Sequence, residues 1–144
     1  MTITSQIRGN VTKTYLFMAG FVAFVVVAAY GMGNALGYGN SWMVGAVLLS
    51  VVSSFAIYYW GSNIVLAMSG ARPADRRRDF DLYTVTENLC IAAGLPKPKL
   101  YVIDDTAMNA FATGRDPEHA IVCATTGIVQ KLERRELEGV IAHE

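Results

Sequence analysis

Residues 14–71 contain no charged side chain, and that run constrains the fold more than any other feature of the chain. A helix rises about 1.5 Å per residue, so roughly 20 apolar residues cross ~30 Å of hydrocarbon. Residues 15–36 and 42–60 are two apolar stretches of about that length, and Gly37, Gly39 and Asn40 supply turn residues between them. The pattern predicts an α-helical membrane hairpin of two transmembrane helices. A cleaved signal peptide is the alternative, but its apolar core would be shorter and followed by an A-x-A-like site. The preceding residues 1–13, with Arg8 and Lys13, read as a polar, poorly ordered segment.

Basic residues orient the hairpin. Arg8 and Lys13 precede it, Arg72, Arg76, Arg77 and Arg78 follow it, and the connecting loop has none. The positive-inside rule therefore places both ends, and everything after residue 71, in the cytoplasm. Tyr58, Tyr59 and Trp60 form a candidate interfacial belt on the inner side. The triple arginine reads first as a topology anchor, secondarily as a binder of anionic headgroups, and last as a contact for nucleic acid. Residues 61–68 stay apolar beyond the belt: they either lengthen the second helix under a tilt or lie on the membrane surface. The expected non-protein partner is thus the lipid bilayer. The formal net charge of +0 gives no case for nucleic acid, and none is expected as a partner. Cys90 and Cys123 have no C-x-x-C spacing and read as reduced packing residues.

Every Asp and Glu lies after Arg72, so residues 72–144 read as a soluble segment, near the lower size limit for a single core. A charged linker, 72–79, contains Pro73. Leu82, Val85, Leu89 and Ala92 then recur at helical spacing, ended by Gly94 and Pro96. Three β-rich runs follow at 99–103, 109–113 and 120–125, with Gly114, Asp116 and Pro117 between the last two. A helical turn after Thr126-Gly127 leads into a final amphipathic helix, in which Leu137, Val140 and Ile141 share one face. Glu133 and Glu136 stand in a weakened capping-box arrangement at its start. The segment is therefore α+β.

Few residues in it point to chemistry. Asp104-Asp105 closes a strand, where Asp commonly builds a solvated turn. His119 stands in a polar loop without a partner at ligand spacing. Asn109, Ala110, Phe111, Ala112 and Thr113 form a strand that is either plain core or an edge able to accept an extended peptide. His143 and Glu144 end the last helix. The pair opens the H-E-x-x-H pattern, in which two histidines on one helix face bind a metal and the intervening Glu acts on its water.

Taken together, ENLCIAAGLPKPKLYVIDD, NAFATG, ATTGIVQKL and ELEGVIAHE behind a membrane hairpin resemble the HtpX-like membrane zinc metalloproteases, gluzincins related to the CAAX prenyl proteases. The resemblance implies that residues 72–144 are the N-terminal part of a zincin-like protease domain on the cytosolic side of a bacterial inner membrane. It implies His143 as the first zinc ligand, Glu144 as the catalytic base, and residues 109–113 as the strand bordering the cleft for protein or peptide substrates. The cofactor would be Zn2+. The family's second histidine and its third, glutamate ligand fall beyond Glu144. The expectation is thus an N-terminal fragment of a metal-dependent endopeptidase, ending inside its motif and inactive alone. The alternative is a non-catalytic membrane-anchored adaptor or remnant ending naturally at Glu144. A small channel-forming hairpin would leave residues 72–144 unexplained.

Overall fold

The structure is a computed structural model describing residues 3–38 and 40–144. The chain divides into two compact units, the first ending at Gly61 and the second comprising Ser62–Glu144. Two helices dominate the first part, α1 (Ile3–Leu36) and α2 (Asn40–Met68), both long and apolar enough to cross a membrane. Gly37, at φ 71°, ends α1 in the left-handed conformation that favours glycine. Gly39, also read as a turn residue, lies outside the described residues. α1 begins at Ile3 rather than after the polar N-terminal stretch. Once a long helix is nucleated, each added residue needs only one more hydrogen bond, so modest formers suffice to extend it. Within the first unit, the rings of Tyr15 and Tyr58 meet at 5.8 Å, and Ala29 and Ser50 are buried. Ser50 Oγ, which would be costly unpaired in hydrocarbon, donates to the Val47 carbonyl at 2.9 Å.

The second unit is built on a four-stranded mixed sheet of order β1-β2-β4-β3, with β1 Arg72–Pro73, β2 Lys99–Ile103, β3 Ala110–Thr113 and β4 Ile121–Thr125. β2 and β4 are parallel; β1 pairs antiparallel with β2, and β3 with β4. Side chains alternate across the strands. Leu100, Val102, Val122 and Ala124 face one core, shared with Leu82 and Val85 of α3 (Phe80–Ala93), Ile128 of α4 (Thr126–Lys131), and Leu137 and Ile141 of α5 (Arg134–His143). Ile121 and Cys123 face a second, smaller core, with Tyr101, Ile103 and Phe111 packed against it. That core is completed by Leu66, from the last turns of α2. All five residues of β4 are buried, as befits a central strand covered on both faces.

The strands at 99–103 and 110–113 and the helix at 80–93 stand where the sequence pattern expects them. Gly94 at φ 64° closes α3, its amide and that of Leu95 bonding back to Ile91 and Cys90. One feature differs from the sequence reading. The supposed linker begins with a strand, β1, held at the sheet edge, where Pro73 costs no ladder bond. Residues 61–68 are helical throughout and lengthen α2, one of the two alternatives the sequence left open, and Ser62–Met68 belong to the second unit. Both cysteines are free, Cys123 buried and Cys90 half-buried. Burial pushes the Cys123 thiol up to about 11, so it carries almost no thiolate at neutral pH.

An ionic clamp locks the start of this unit. Arg72 reaches Asp79 at 2.9 Å and Asp104 at 3.2 Å, and Arg78 meets Asp104 at 2.9 Å. Asp79 is buried at the N-cap of α3 and accepts the Asp75 amide at 2.8 Å. Burial alone would raise its pKa, but the hydrogen bonds from Arg72 and from Asp75 outweigh it and hold the carboxyl below its usual value.

Candidate active site

The catalytic candidates sit on α5, and packing decides how they are presented. Leu137 and Ile141 lie four apart and are both buried against the sheet, with Val140 half-buried beside them. Along the flank of that face Arg134 and Glu138 pair at 3.6 Å. At the N-terminus Glu133 is the N-cap, and its amide donates to Glu136 Oε2 at 2.9 Å. At the other end the amide of Glu144 donates to the Val140 carbonyl at 3.2 Å, so the helical bonding pattern continues through the His-Glu pair. The side chains of His143 and Glu144 are both exposed and make no hydrogen bond or ion pair with other described residues.

That arrangement fits one part of a metal site. An exposed imidazole without a competing partner, on a helix pinned by two buried side chains, can offer a ring nitrogen to zinc. A catalytic zinc needs about three protein ligands. Among the described residues no group of three or more His, Cys, Asp or Glu is placed to hold one. His119 is engaged elsewhere: its Nδ1 lies 2.6 Å from Asp116 Oδ1 and its Nε2 2.6 Å from Arg115 Nη2. It serves its own loop, a short 3₁₀ turn over Pro117–His119 that joins β3 to β4.

Asp104 and Asp105 are structural, as their turn position suggests. Asp104 is the ionic partner of Arg72 and Arg78. Asp105 Oδ1 accepts the Ala107 amide at 2.8 Å, and its carbonyl accepts the Gly127 amide at 2.8 Å. Here the sequence reading missed the key residue, Thr125. Its hydroxyl donates to the Ala107 carbonyl at 2.6 Å and receives the Asn109 amide at 3.1 Å, tying the loop before β3 to the end of β4. Thr125 also caps α4, accepting the Ile128 amide at 3.3 Å. Only the pattern of a threonine before a helical turn could have pointed to it.

β3 occupies one outer position in the sheet and, among the described residues, pairs only with β4. Ala112 is exposed, Phe111 is half-buried over the smaller core, and Thr113 Oγ1 lies 3.1 Å from Ser62 Oγ. Asn109 precedes the strand, its carbonyl accepting the Thr125 amide at 2.9 Å. One side of this strand's backbone is therefore available to pair with an added extended chain.

Residues 76–144 match the family model for peptidase family M48. Curated relatives align with nearly the whole chain. A protease HtpX homolog of Ligilactobacillus salivarius is 41% identical over 140 residues, covering 96% of this chain and 48% of the relative. One from Thermoanaerobacter pseudethanolicus is 42% identical over 138 residues, 94% of this chain and 45% of the relative. One from Streptococcus thermophilus is 39% identical over 140 residues, with 96% and 47% covered. The chain is similar to the HtpX-like M48 peptidases along nearly its whole length. It spans about half the length of the curated relatives it matches. The M48 match begins within the loop before α3 and takes in the sheet from β2 onward and the His-Glu helix. The long apolar helices precede it, as in a bacterial membrane protein of the HtpX kind.

Proposed function

We propose that this chain carries the anchor and first half of the catalytic domain of a membrane-bound zinc endopeptidase. The observation that carries the reading is α5: an amphipathic helix pinned by Leu137 and Ile141 that ends in an exposed, unpartnered His-Glu pair. Identity of about 40% to HtpX protease homologs along almost the full chain supports it.

In this reading His143 holds one zinc position, and donors from residues following Glu144 hold the others. Bound zinc supplies Lewis acidity, polarising a carbonyl and lowering the pKa of water towards ~7. The chain's own residues do the rest. Glu144, one position further round the helix, takes the proton of the attacking water on a carboxylate oxygen and passes it to the departing amine. β3 aligns the substrate: an extended polypeptide pairs with its open backbone edge, and the exposed Ala112 leaves room for the substrate's side chains. Substrates are accordingly proteins or peptides that can present an extended, unfolded or membrane-proximal segment.

The second unit faces the cytoplasm, with the α1–α2 turn outside, because the basic residues flank the helices on that side only. Thiol labelling of intact cells should reach a cysteine at Asn40 and spare one at Asp105; equal labelling of both would refute this orientation. The activity itself is tested in the protein extended beyond Glu144. It should cleave a casein-like unfolded protein in a chelator-sensitive manner, and His143→Ala should abolish both zinc retention and cleavage. Full cleavage by His143→Ala would remove His143 from the site.

A further inference from the structure

The last turns of α2 have two faces. Leu66 points inward and is 4% exposed, in the core that covers Ile121 and Cys123 of β4. Ser62, one turn earlier on the same face, lies within hydrogen-bond distance of Thr113 at the end of β3. The outward face is apolar and uncovered: Ile64 is 48% exposed, Val65 42% and Met68 84%. A soluble domain gains nothing from showing such residues together on one helix end. No charged residue interrupts the segment until Arg72, immediately after the turn at Gly70.

Length points to what covers that face. α2 has 29 residues, about 43 Å at 1.5 Å per residue, against ~30 Å of hydrocarbon and ~40–45 Å including headgroups. A helix anchored across the bilayer therefore still has its final turns in the headgroup layer when it leaves.

We propose that Ile64, Val65 and Met68 form a lipid-seated surface of the second unit, immersed at the boundary of headgroups and acyl chains. The same two turns roof the sheet with Leu66, so the sheet is held directly against the bilayer surface rather than on a free tether. The proposal rests on reading residues 14–71 as a membrane anchor. If β3 is also the substrate edge, Thr113 places one end of that edge at headgroup depth.

The test uses the full chain in phosphatidylcholine nanodiscs, with Cys90→Ser and a single cysteine introduced at Ile64, Met68, Phe24 or Asp105, each labelled with an environment-sensitive fluorophore. Cys123 is buried and scarcely ionised, so it stays unlabelled in the folded chain. Emission from probes at Ile64 and Met68 should be lost with lipids carrying a nitroxide near the headgroup, should fall less with a nitroxide deep in the acyl chain, and should resist aqueous iodide. The probe at Asp105 should respond to iodide alone, and that at Phe24 to the deep nitroxide. Iodide quenching of Met68 equal to that of Asp105 would overturn the seat while leaving the anchor intact. If neither quencher reaches Met68, another polypeptide covers the face and the proposal is wrong. A Phe24 probe indifferent to the deep nitroxide would overturn the anchor, and the seat with it.

Discussion

Replacing Leu137 by Ala tests the packing that presents the His-Glu pair. Leu137 is 1% exposed and touches the core shared by α3, α5 and the sheet. The substitution removes three carbon groups, a transfer loss of about 2.4 kcal/mol at ~0.8 per group. The unfilled cavity adds to this, and comparable buried Leu→Ala changes cost about 2.7–5 kcal/mol. A unit of this size has a total stability of only ~4–12 kcal/mol, at about 0.05–0.15 per residue. The midpoint of thermal unfolding should accordingly fall by at least ~10 °C, at about 4 °C or more per kcal/mol. Val140→Ala, at a half-buried position, should cost less than ~1 kcal/mol. Cys123 is a built-in reporter, since its thiol is fully buried and reacts with an alkylating agent only once the sheet opens. Pulsed alkylation against temperature, in a Cys90→Ser background, reads the midpoint. An unchanged midpoint for Leu137→Ala, or an equal fall for Val140→Ala, would refute the claim that Leu137 pins the helix.

Three further outcomes follow from named contacts. Gly127→Ala should destabilise the unit by about 1–3 kcal/mol, the usual cost of overpacking, because a methyl group there would overlap the Thr106 carbonyl and approach the Ala107 oxygen to 2.6 Å; a midpoint within error of wild type contradicts this. Asp79 has a folded pKa below its unfolded value, so the unfolded chain takes up its proton first as pH falls; the stabilisation is present above about pH 4 and drains away below it. Asp79→Asn should flatten that acid limb of the alkylation midpoint, and a limb of unchanged steepness would exclude Asp79 as its source. Residues 1–144 alone should lose added zinc to a weak chelator and cleave nothing, since one imidazole cannot replace about three ligands; stoichiometric zinc after dialysis would reveal another site.

The membrane helices were legible because a run of 58 uncharged residues has few other uses. The strands at 99–103 and 110–113 were legible from β-branched and aromatic residues between turn formers. Their pairing was not. β2 joins β4 in parallel although β3 lies between them in sequence, and such non-local partners leave no local trace. β1 escaped notice because two residues carry no period and Pro73 argues against a strand anywhere but an edge. Leu66 is apolar whether it meets lipid or Ile121, so hydropathy could not tell that the end of α2 roofs the sheet. At the site, the helix face and the His-Glu pair could be read directly. Thr125 could not, because its role depends on a loop 16 to 18 positions earlier in sequence.

The proposed base is Glu144, beside a zinc held through His143. The most direct measurement is paired, zinc content by elemental analysis and cleavage of an unfolded protein, made on Glu144→Gln in the protein extended beyond residue 144. The expected result is zinc equal to wild type with cleavage abolished, because the change removes a proton acceptor and no ligand. Cleavage retained at the wild-type rate would show that Glu144 is not the base.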